Sequence, residues 1–299
     1  MRRRDFLWGG PALLATQANG HEAPIAAVAR YERASGGHIG FYAENLRTRR
    51  KLSWRAGERF VMCSTFKASL AALVLSRVDR HRDSLEEMIA YGPADMQGWY
   101  APVAQANLGK GALSVREMCA AAVQYSDNTC ASLLLSRVGG PASVTAFWRG
   151  IGDDVSRLDD PEPYLNRTPL GGVKDTTTPT AMANTFKRLV FGQVLSDPSR
   201  HTFTGWLLGG KTGDNRLRSG LPASWTTGDK TGNNGKDAAG DIAVTWTSSN
   251  APIVIAAYTR GGSPTAEQFA TAFQGVGRFV AATLGGDERA DQAPGTRKR

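Results

Sequence analysis

The stretch Asp241-Ile242-Ala243-Val244-Thr245-Trp246, the tripeptide Ser248-Ser249-Asn250 and the stretch Ile253-Val254-Ile255-Ala256-Ala257-Tyr258 decide the fold. Two runs rich in β-branched residues on either side of a Ser/Asn turn read as paired strands. Beyond them Ala266, Phe269, Ala270, Phe273, Val276 and Val280 fall on one face at helical spacing, so a helix follows the strands. At the other end of the chain, residues 25–34 read as a helix and Ile39-Gly40-Phe41-Tyr42-Ala43 as a strand. Between Ser64 and about Leu208 the pattern is helical, carried by Ala68, Leu70 to Leu75, Val78, Val115, Met118, Ala122 and Leu133 to Leu135. Strands at both ends with helices between them predict an α/β chain of the α+β type. Its antiparallel sheet is built from both chain ends with flanking helices, and an all-helical domain is inserted. The expected boundaries are residues 21–60 with 209–284 for the α/β part, 61–208 for the helical part, and 285–299 for a flexible tail.

The composition narrows the function classes. With 299 residues, 41% hydrophobic and 21% charged, the chain can bury a sizeable core and is not intrinsically disordered. The formal net charge is +9, yet no Lys/Arg-rich run with interleaved aromatics follows the N-terminus, so no nucleic-acid partner is expected. No run of 18 apolar residues occurs, so no membrane anchor is expected. The four His, at 21, 38, 81 and 201, show no metal-ligand spacing, and neither a metal nor a cofactor is expected. Residues 1–20 resemble a twin-arginine export signal: Arg3-Arg4, one spacer, Phe6-Leu7, a short apolar stretch, then small residues around Ala18-Asn19-Gly20. That predicts export, with a periplasmic location. Cys63, Cys119 and Cys130 are expected to be free and buried, the last two too far apart along one helical stretch to bridge.

Ser64-Thr65-Phe66-Lys67 is the one S-x-x-K of the chain. Residues three apart share a helix face, so an ammonium sits beside a hydroxyl and can act on its proton. If Ser64 also opens the helix, the positive helix end faces the reacting group. Ser126-Asp127-Asn128 offers a second hydroxyl for proton transfer and an amide that can hold a substrate amide; taken alone, Ser126 would serve as a helix N-cap. Lys230-Thr231-Gly232 follows strand-like Ser224-Trp225-Thr226-Thr227, where an ammonium and a hydroxyl can hold a carboxylate. Lys211-Thr212-Gly213 is a second such triplet. It also completes Gly205-Trp206-Leu207-Leu208-Gly209-Gly210-Lys211-Thr212, a literal G-x-x-x-x-G-K-[ST]. No hydrophobic strand precedes it and a loop follows, so it is read as a false phosphate-loop match. Asp160-Pro161-Glu162-Pro163-Tyr164-Leu165-Asn166 is turn-rich and carries a carboxylate and an amide that could activate water beside an ester. No G-x-S-x-G occurs.

In this order S-T-F-K, S-D-N, E-P-Y-L-N and K-T-G resemble the class A serine β-lactamases, across nearly the whole mature chain. Met62-Cys63 and Leu217 to Trp225 are also similar to that family. The resemblance implies a fold like that of β-lactamases and penicillin-binding transpeptidases, small-molecule β-lactam substrates, and a monomer. It assigns Ser64 the attack on the lactam carbonyl, with the N–H groups of Ser64 and Asn233 as oxyanion hole. Lys67 and Ser126 handle protons, and either Lys67 or Glu162, through a water, takes the Ser64 proton. Glu162 with Asn166 activates the water that cleaves the ester. Asn128 positions the substrate acylamide, Lys230, Thr231 and Arg216 bind the substrate carboxylate, and Tyr100 walls the entrance. The Glu162–Pro163 bond is implied to be cis.

The chain departs from the family at three places. Asp160 stands where the family usually has an Arg paired with the Asp matched by Asp175, so two acids replace an ion pair at the base of the loop carrying Glu162. Arg157 and Asp159 match the other loop pair, and Arg167 or Lys174 is expected to substitute as anchor. A more mobile loop admitting bulkier cephalosporins is the consequence. Ala71 removes the usual partner of Cys119, and Cys63 has no partner Cys after K-T-G, which counts against carbapenem hydrolysis. A penicillin-binding D,D-peptidase or transpeptidase shares three of the motifs, but Glu162-Pro163 argues against it. A non-turning-over penicillin sensor is expected to bring a membrane segment or a further domain, and a glutaminase of related fold is more remote.

Overall fold

The computed structural model describes residues 26–96, 100–162 and 164–286. Residues 1–20, expected above to be an export signal, Pro163 with its expected cis peptide bond, and residues 287–299 of the expected tail lie outside the described residues. In chain order the elements are α1 (Ala26–Ser35), β1 (His38–Asn45), β2 (Lys51–Trp54), β3 (Phe60–Val61), α2 (Phe66–Val78), β4 (Met88–Ala90), α3 (Pro102–Ala106) and β5 (Ala112–Ser114). Then come α4 (Val115–Gln124), α5 (Asn128–Val138), α6 (Pro141–Gly150), β6 (Thr176–Thr177), α7 (Pro179–Phe191) and α8 (Asp197–Leu208). The chain closes with β7 (Thr226–Asn233), β8 (Ala239–Trp246), β9 (Pro252–Arg260) and α9 (Ala266–Leu284).

The sheet is antiparallel, in the order β2-β1-β9-β8-β7, so its centre is made where the N-terminal strand meets the C-terminal hairpin. Phe41 opposes Ala257, and Ala243 opposes Ile255. The β8–β9 turn closes at Asn250, whose φ of 62° is a conformation Asn tolerates better than most residues. Both faces of the sheet are covered. Val254, Ala256 and Tyr258 pack toward α2, α4 and α7, while Ile253, Ile255 and Ala257 pack toward α1 and α9. Burial on both faces explains why these strands read as continuous apolar runs rather than as alternations. Each fully buried Ile, Val or Phe there contributes roughly 1.5–3 kcal/mol.

Helix ends follow their capping chemistry. Ser114 and Glu117 form a capping box at α4, Thr265 and Gln268 another at α9, and Thr178 caps α7 ahead of Pro179. Helix α2 is buried nearly all round, including Ala68, Leu70, Ala72 and Leu75, and it carries Lys67 into the interior with them. The segment expected to be purely helical also holds two short antiparallel pairs, β3 with β6 and β4 with β5. Two or three residues give no readable period, so such strands are set by tertiary contact. Cys119 and Cys130 are not on one helical stretch as expected: Tyr125, Ser126 and Asp127 break it into α4 and α5. Both thiols, with Cys63, are free and buried.

Candidate active site

Ser64 lies in a turn of 3-10 helix, Cys63–Thr65, that runs directly into α2. The chain leaves β3 at Val61 and, past Met62, enters this turn through Cys63 at φ 48°, so Ser64 sits at a sharp strand-to-helix corner. Thr65 Oγ1 donates to Met62 O at 2.7 Å and lies 3.0 Å from Tyr258 Oη, tying the corner to the central strand β9. Strand β7 passes so close that a Cβ on Gly232 would stand 2.6 Å from Ser64 N. Only glycine lets the two backbones approach this way.

Three residues from Ser64, Lys67 is fully buried. Its ammonium donates to Ser126 O at 3.0 Å and to Asn128 Oδ1, and it lies 3.7 Å from Glu162 Oε1. Burial pulls the Lys67 pKa down, against the opposing pull of Glu162. Lys230 reaches the same residue from β7, its Nζ donating to Ser126 Oγ at 3.0 Å and to Thr231 O at 2.6 Å. Burial, then the charge of Lys67, lowers the Lys230 pKa to about 7.

Ser126 holds this bridging place through an uncommon backbone. Its φ is 60°, and the cap of α5 is Asp127 rather than Ser126. The buried Asp127 carboxylate accepts from Cys130 N at 2.9 Å, Val103 N at 2.9 Å and Ala104 N at 3.0 Å, so it ties the first turn of α3 to the start of α5. Asn128 N donates to Tyr100 O at 3.1 Å. The motif S-D-N names Asp127 without revealing that function.

Glu162 sits on the long loop between α6 and β6. Asn166 Nδ2 donates to Glu162 Oε2 at 3.3 Å, and the buried Asn166 Oδ1 has no protein partner among the described residues. At the loop base Arg157 Nε donates to Asp159 Oδ2 at 2.9 Å. Asp175 Oδ1 accepts from the backbone N–H of Asp159 at 2.8 Å and of Asp160 at 3.0 Å, while its buried Oδ2 has no partner among the described residues. Burial raises the Asp175 pKa to about 6. Of the two expected anchors, Lys174 lies 4.0 Å from Asp160 at the surface, whereas Arg167 instead stacks over the Tyr164 ring. An exposed pair at that distance contributes little.

A cleft of about 720 Å³ is lined by Ser64, Asn128, Glu162, Asn166 and Asn233, walled by Thr168 to Leu170 on one side and Asn234 to Ala238 on the other. Thus β3, α5, the Glu162 loop and β7 bring together residues far apart in sequence. Lys67, Lys230 and Thr231 are buried next to these groups. Tyr100 is 60% exposed outside the cleft lining. Arg216 lies against α9, its guanidinium 5.0 Å from the Phe273 ring centre and 5.7 Å from that of Phe269, with Nη1 buried and unpaired among the described residues. Among the described residues no group of three or more His, Cys, Asp or Glu could hold a metal ion. Gly232 and Thr212 stand in the sequence only as members of the two K-T-G triplets, with no role of their own. The close approach of Gly232 to Ser64 joins segments far apart in the chain, and Thr212 lies within the false phosphate-loop match, so neither has a local signal.

Residues 22–284 match the family model described as the beta-lactamase enzyme family. The chain belongs to the class A β-lactamases. It is 45% identical over 258 residues to beta-lactamase L2 of Stenotrophomonas maltophilia, covering 86% of this chain and 84% of that protein. A carbapenem-hydrolyzing beta-lactamase KPC of Klebsiella oxytoca is 45% identical over 233 residues, 78% of this chain and 79% of the relative. Among solved structures, the reconstructed last common ancestor of Gram-negative class A β-lactamases superposes with a TM-score of 0.83 at 47% identity, covering 86% of this chain and 97% of that one. A β-lactamase of Xanthomonas campestris gives 0.83 at 41%, covering 87% and 97%. As a class A β-lactamase this chain hydrolyses β-lactam antibiotics through a serine acyl-enzyme, a hydrolase activity that underlies antibiotic resistance.

Proposed function

We propose that the β-lactam ring is opened by Ser64 and the ester released by Glu162, and that the convergence of Lys67 on Ser126, Asn128 and Glu162 carries this reading. Ser64 Oγ attacks the lactam carbonyl, and its proton passes to the buried Lys67–Glu162 pair, whose charged groups lie 3.7 Å apart. The developing oxyanion is met by the N–H groups of Ser64 and Asn233, a reading supported by the close approach of β7 at Gly232. Because Lys230 donates to Ser126 Oγ, the Ser126 proton is directed away from Lys230 and is free to go to the lactam nitrogen. The pair passes the Ser64 proton on to Ser126, which restores both; Glu162 then takes a proton from a water held with Asn166, the hydroxide adds to the ester carbonyl, and the C–O bond to Ser64 breaks as Glu162 hands that proton to Ser64 Oγ. Asn128 orients the acylamide; Lys230, Thr231 and Arg216 hold the substrate carboxylate, to which the unpaired Arg216 N–H offers a donor. Tyr100 walls the entrance.

The lost ion pair at Asp160 and Asp175 supports a mobile Glu162 loop and turnover of bulkier cephalosporins. The free Cys63 counts against carbapenems as main substrates. Class A enzymes are generally exported; we read residues 1–20 as a twin-arginine signal for the periplasm and the mature chain as a monomer. No helix among the described residues is long and apolar enough to cross a membrane. We read residues 61–208 as a domain inserted into the α/β part, a division supported by separate apolar clusters on the two faces of the sheet. Stopped-flow kinetics with a chromogenic cephalosporin test the mechanism. Glu162→Ala should give a burst of one equivalent and then stall, whereas steady turnover equal to the parent would remove Glu162 from its role.

A further inference from the structure

The loop after α8 carries Lys211-Thr212-Gly213, and nothing in the chemistry above uses it. In the fold the Thr231 hydroxyl donates to the Thr212 hydroxyl at 2.6 Å. We propose that Thr212 is a positioning residue for substrate-carboxylate recognition, its hydroxyl orienting that of Thr231. This rests on the reading that Lys230 and Thr231 hold the carboxylate.

The loop and the strand are clamped as one body. Lys211 N donates to Gln124 O at 2.9 Å, fixing the loop to the end of α4. The Arg218 guanidinium donates to Gly210 O at 3.2 Å and to both carboxylate oxygens of Asp229, at 2.7 and 3.0 Å. Asp229 precedes Thr231 by two residues on β7, so both side chains point from the same face. Gly213 lies so tightly on the Asp229 carboxylate that any Cβ there would overlap it. The pairing of the two hydroxyls is therefore built into a buried ion pair, not left to side-chain chance.

A threonine hydroxyl has one proton and two acceptor sites. Without substrate, Thr231 gives its proton to Thr212. A bound carboxylate takes over that proton, and Thr212 turns its own O–H onto Thr231 Oγ1. The chain Thr212 to Thr231 to carboxylate polarises each bond along it, and no covalent bond changes. Without a hydroxyl at 212, Thr231 loses both its rotational guide and the second bond.

The test compares the full enzyme with Thr212→Val and Thr231→Val, each on a cephalosporin and on its methyl ester. Thr212→Val should lower the acid-to-ester ratio of kcat/KM about fivefold, the effect of one net hydrogen bond, with kcat on the acid within about twofold. Thr212→Ser should restore the ratio, and Thr212→Val should add little in a Thr231→Val background. An unchanged ratio in Thr231→Val would overturn the carboxylate reading itself. A lowered ratio in Thr231→Val with an unchanged one in Thr212→Val, or equal losses on acid and ester, would overturn the positioning role.

Discussion

Lys230 Nζ lies 3.0 Å from Ser126 Oγ while the carbonyl of the same Ser126 takes a bond from Lys67, so one residue joins two buried cations. Each ammonium disfavours the charge of the other in a site from which water is withdrawn. The proximity matters for proton delivery and also sets how the site responds to pH.

With a pKa of about 7, Lys230 is charged below neutrality and loses its charge as pH rises through 7. An anionic substrate favours the charged form. KM for carboxylate-bearing β-lactams should therefore climb between pH 6 and 8.5, by about tenfold per pH unit at most on the basic side. Lys230→Arg stays charged throughout, and its KM profile should be flat over that range. A basic limb of equal steepness in both proteins would assign the titration elsewhere.

Asp175 is the opposite case. Its folded pKa, about 6, stands above the 3.8 of an unperturbed Asp, so the folded state holds the proton more tightly than the unfolded chain. This contribution to stability is fully present below pH 4 and is lost as pH rises through 6. Asp175→Asn keeps the acceptor for the Asp159 and Asp160 N–H groups and places a donor where Oδ2 has no partner. The variant should be more stable than the parent at pH 7.5, by roughly 1–3 kcal/mol, and no more stable at pH 4. Denaturant melts at the two pH values decide it. Asp160→Arg, which supplies the missing cation, should reduce the cephalosporin-to-penicillin ratio of kcat/KM; an unchanged ratio would dismiss the mobile-loop explanation of spectrum.

Gly232→Ala inserts a methyl group within contact of Ser64 N and Cys63 Cβ. Either β7 or the nucleophile corner must shift, which widens the oxyanion hole. Turnover should fall on the order of 10²–10³-fold, the usual cost of an oxyanion donor, while the protein still folds. Circular dichroism with steady-state rates would check this, and a near-parental kcat would count against the assignment of that hole.

Burial pushes the Cys63 thiol well above the ordinary range, and Cys119 and Cys130 likewise. A thiolate is the reactive form, so all three should resist alkylation in the native state. Iodoacetamide should leave activity intact, and mass spectrometry should find labels only after denaturation. Rapid native labelling of Cys63 would mean that the Ser64 corner opens far more than the fold suggests.

Much of this was legible in the sequence where the signal is local. Strands β8 and β9 carry apolar runs bounded by a turn, and helix α9 a helical period, each long enough to read; the expected strands fall within two residues of the observed ones. Strand β2 escaped because Lys51 and Ser53 point to solvent and only Leu52 is buried, as suits a short edge strand. The break between α4 and α5 escaped because the Asp127 carboxylate stabilises it through N–H groups of α3, some 24 residues away in the chain.

By itself the sequence determined the inventory and its order: a hydroxyl one helical turn from an ammonium, then Ser126, Glu162 and Lys230, each inside a short recognisable motif. Those are properties of neighbouring residues, and spacing along the chain is enough to state them. Tertiary structure alone decided that Lys67 and Lys230 share Ser126, that Asp175 holds a proton near pH 6, and that the discarded triplet places Thr212 against Thr231. Desolvation and Coulomb coupling exist only once α2, the Glu162 loop and β7 have closed on one another, and no local pattern encodes a distance between segments that far apart.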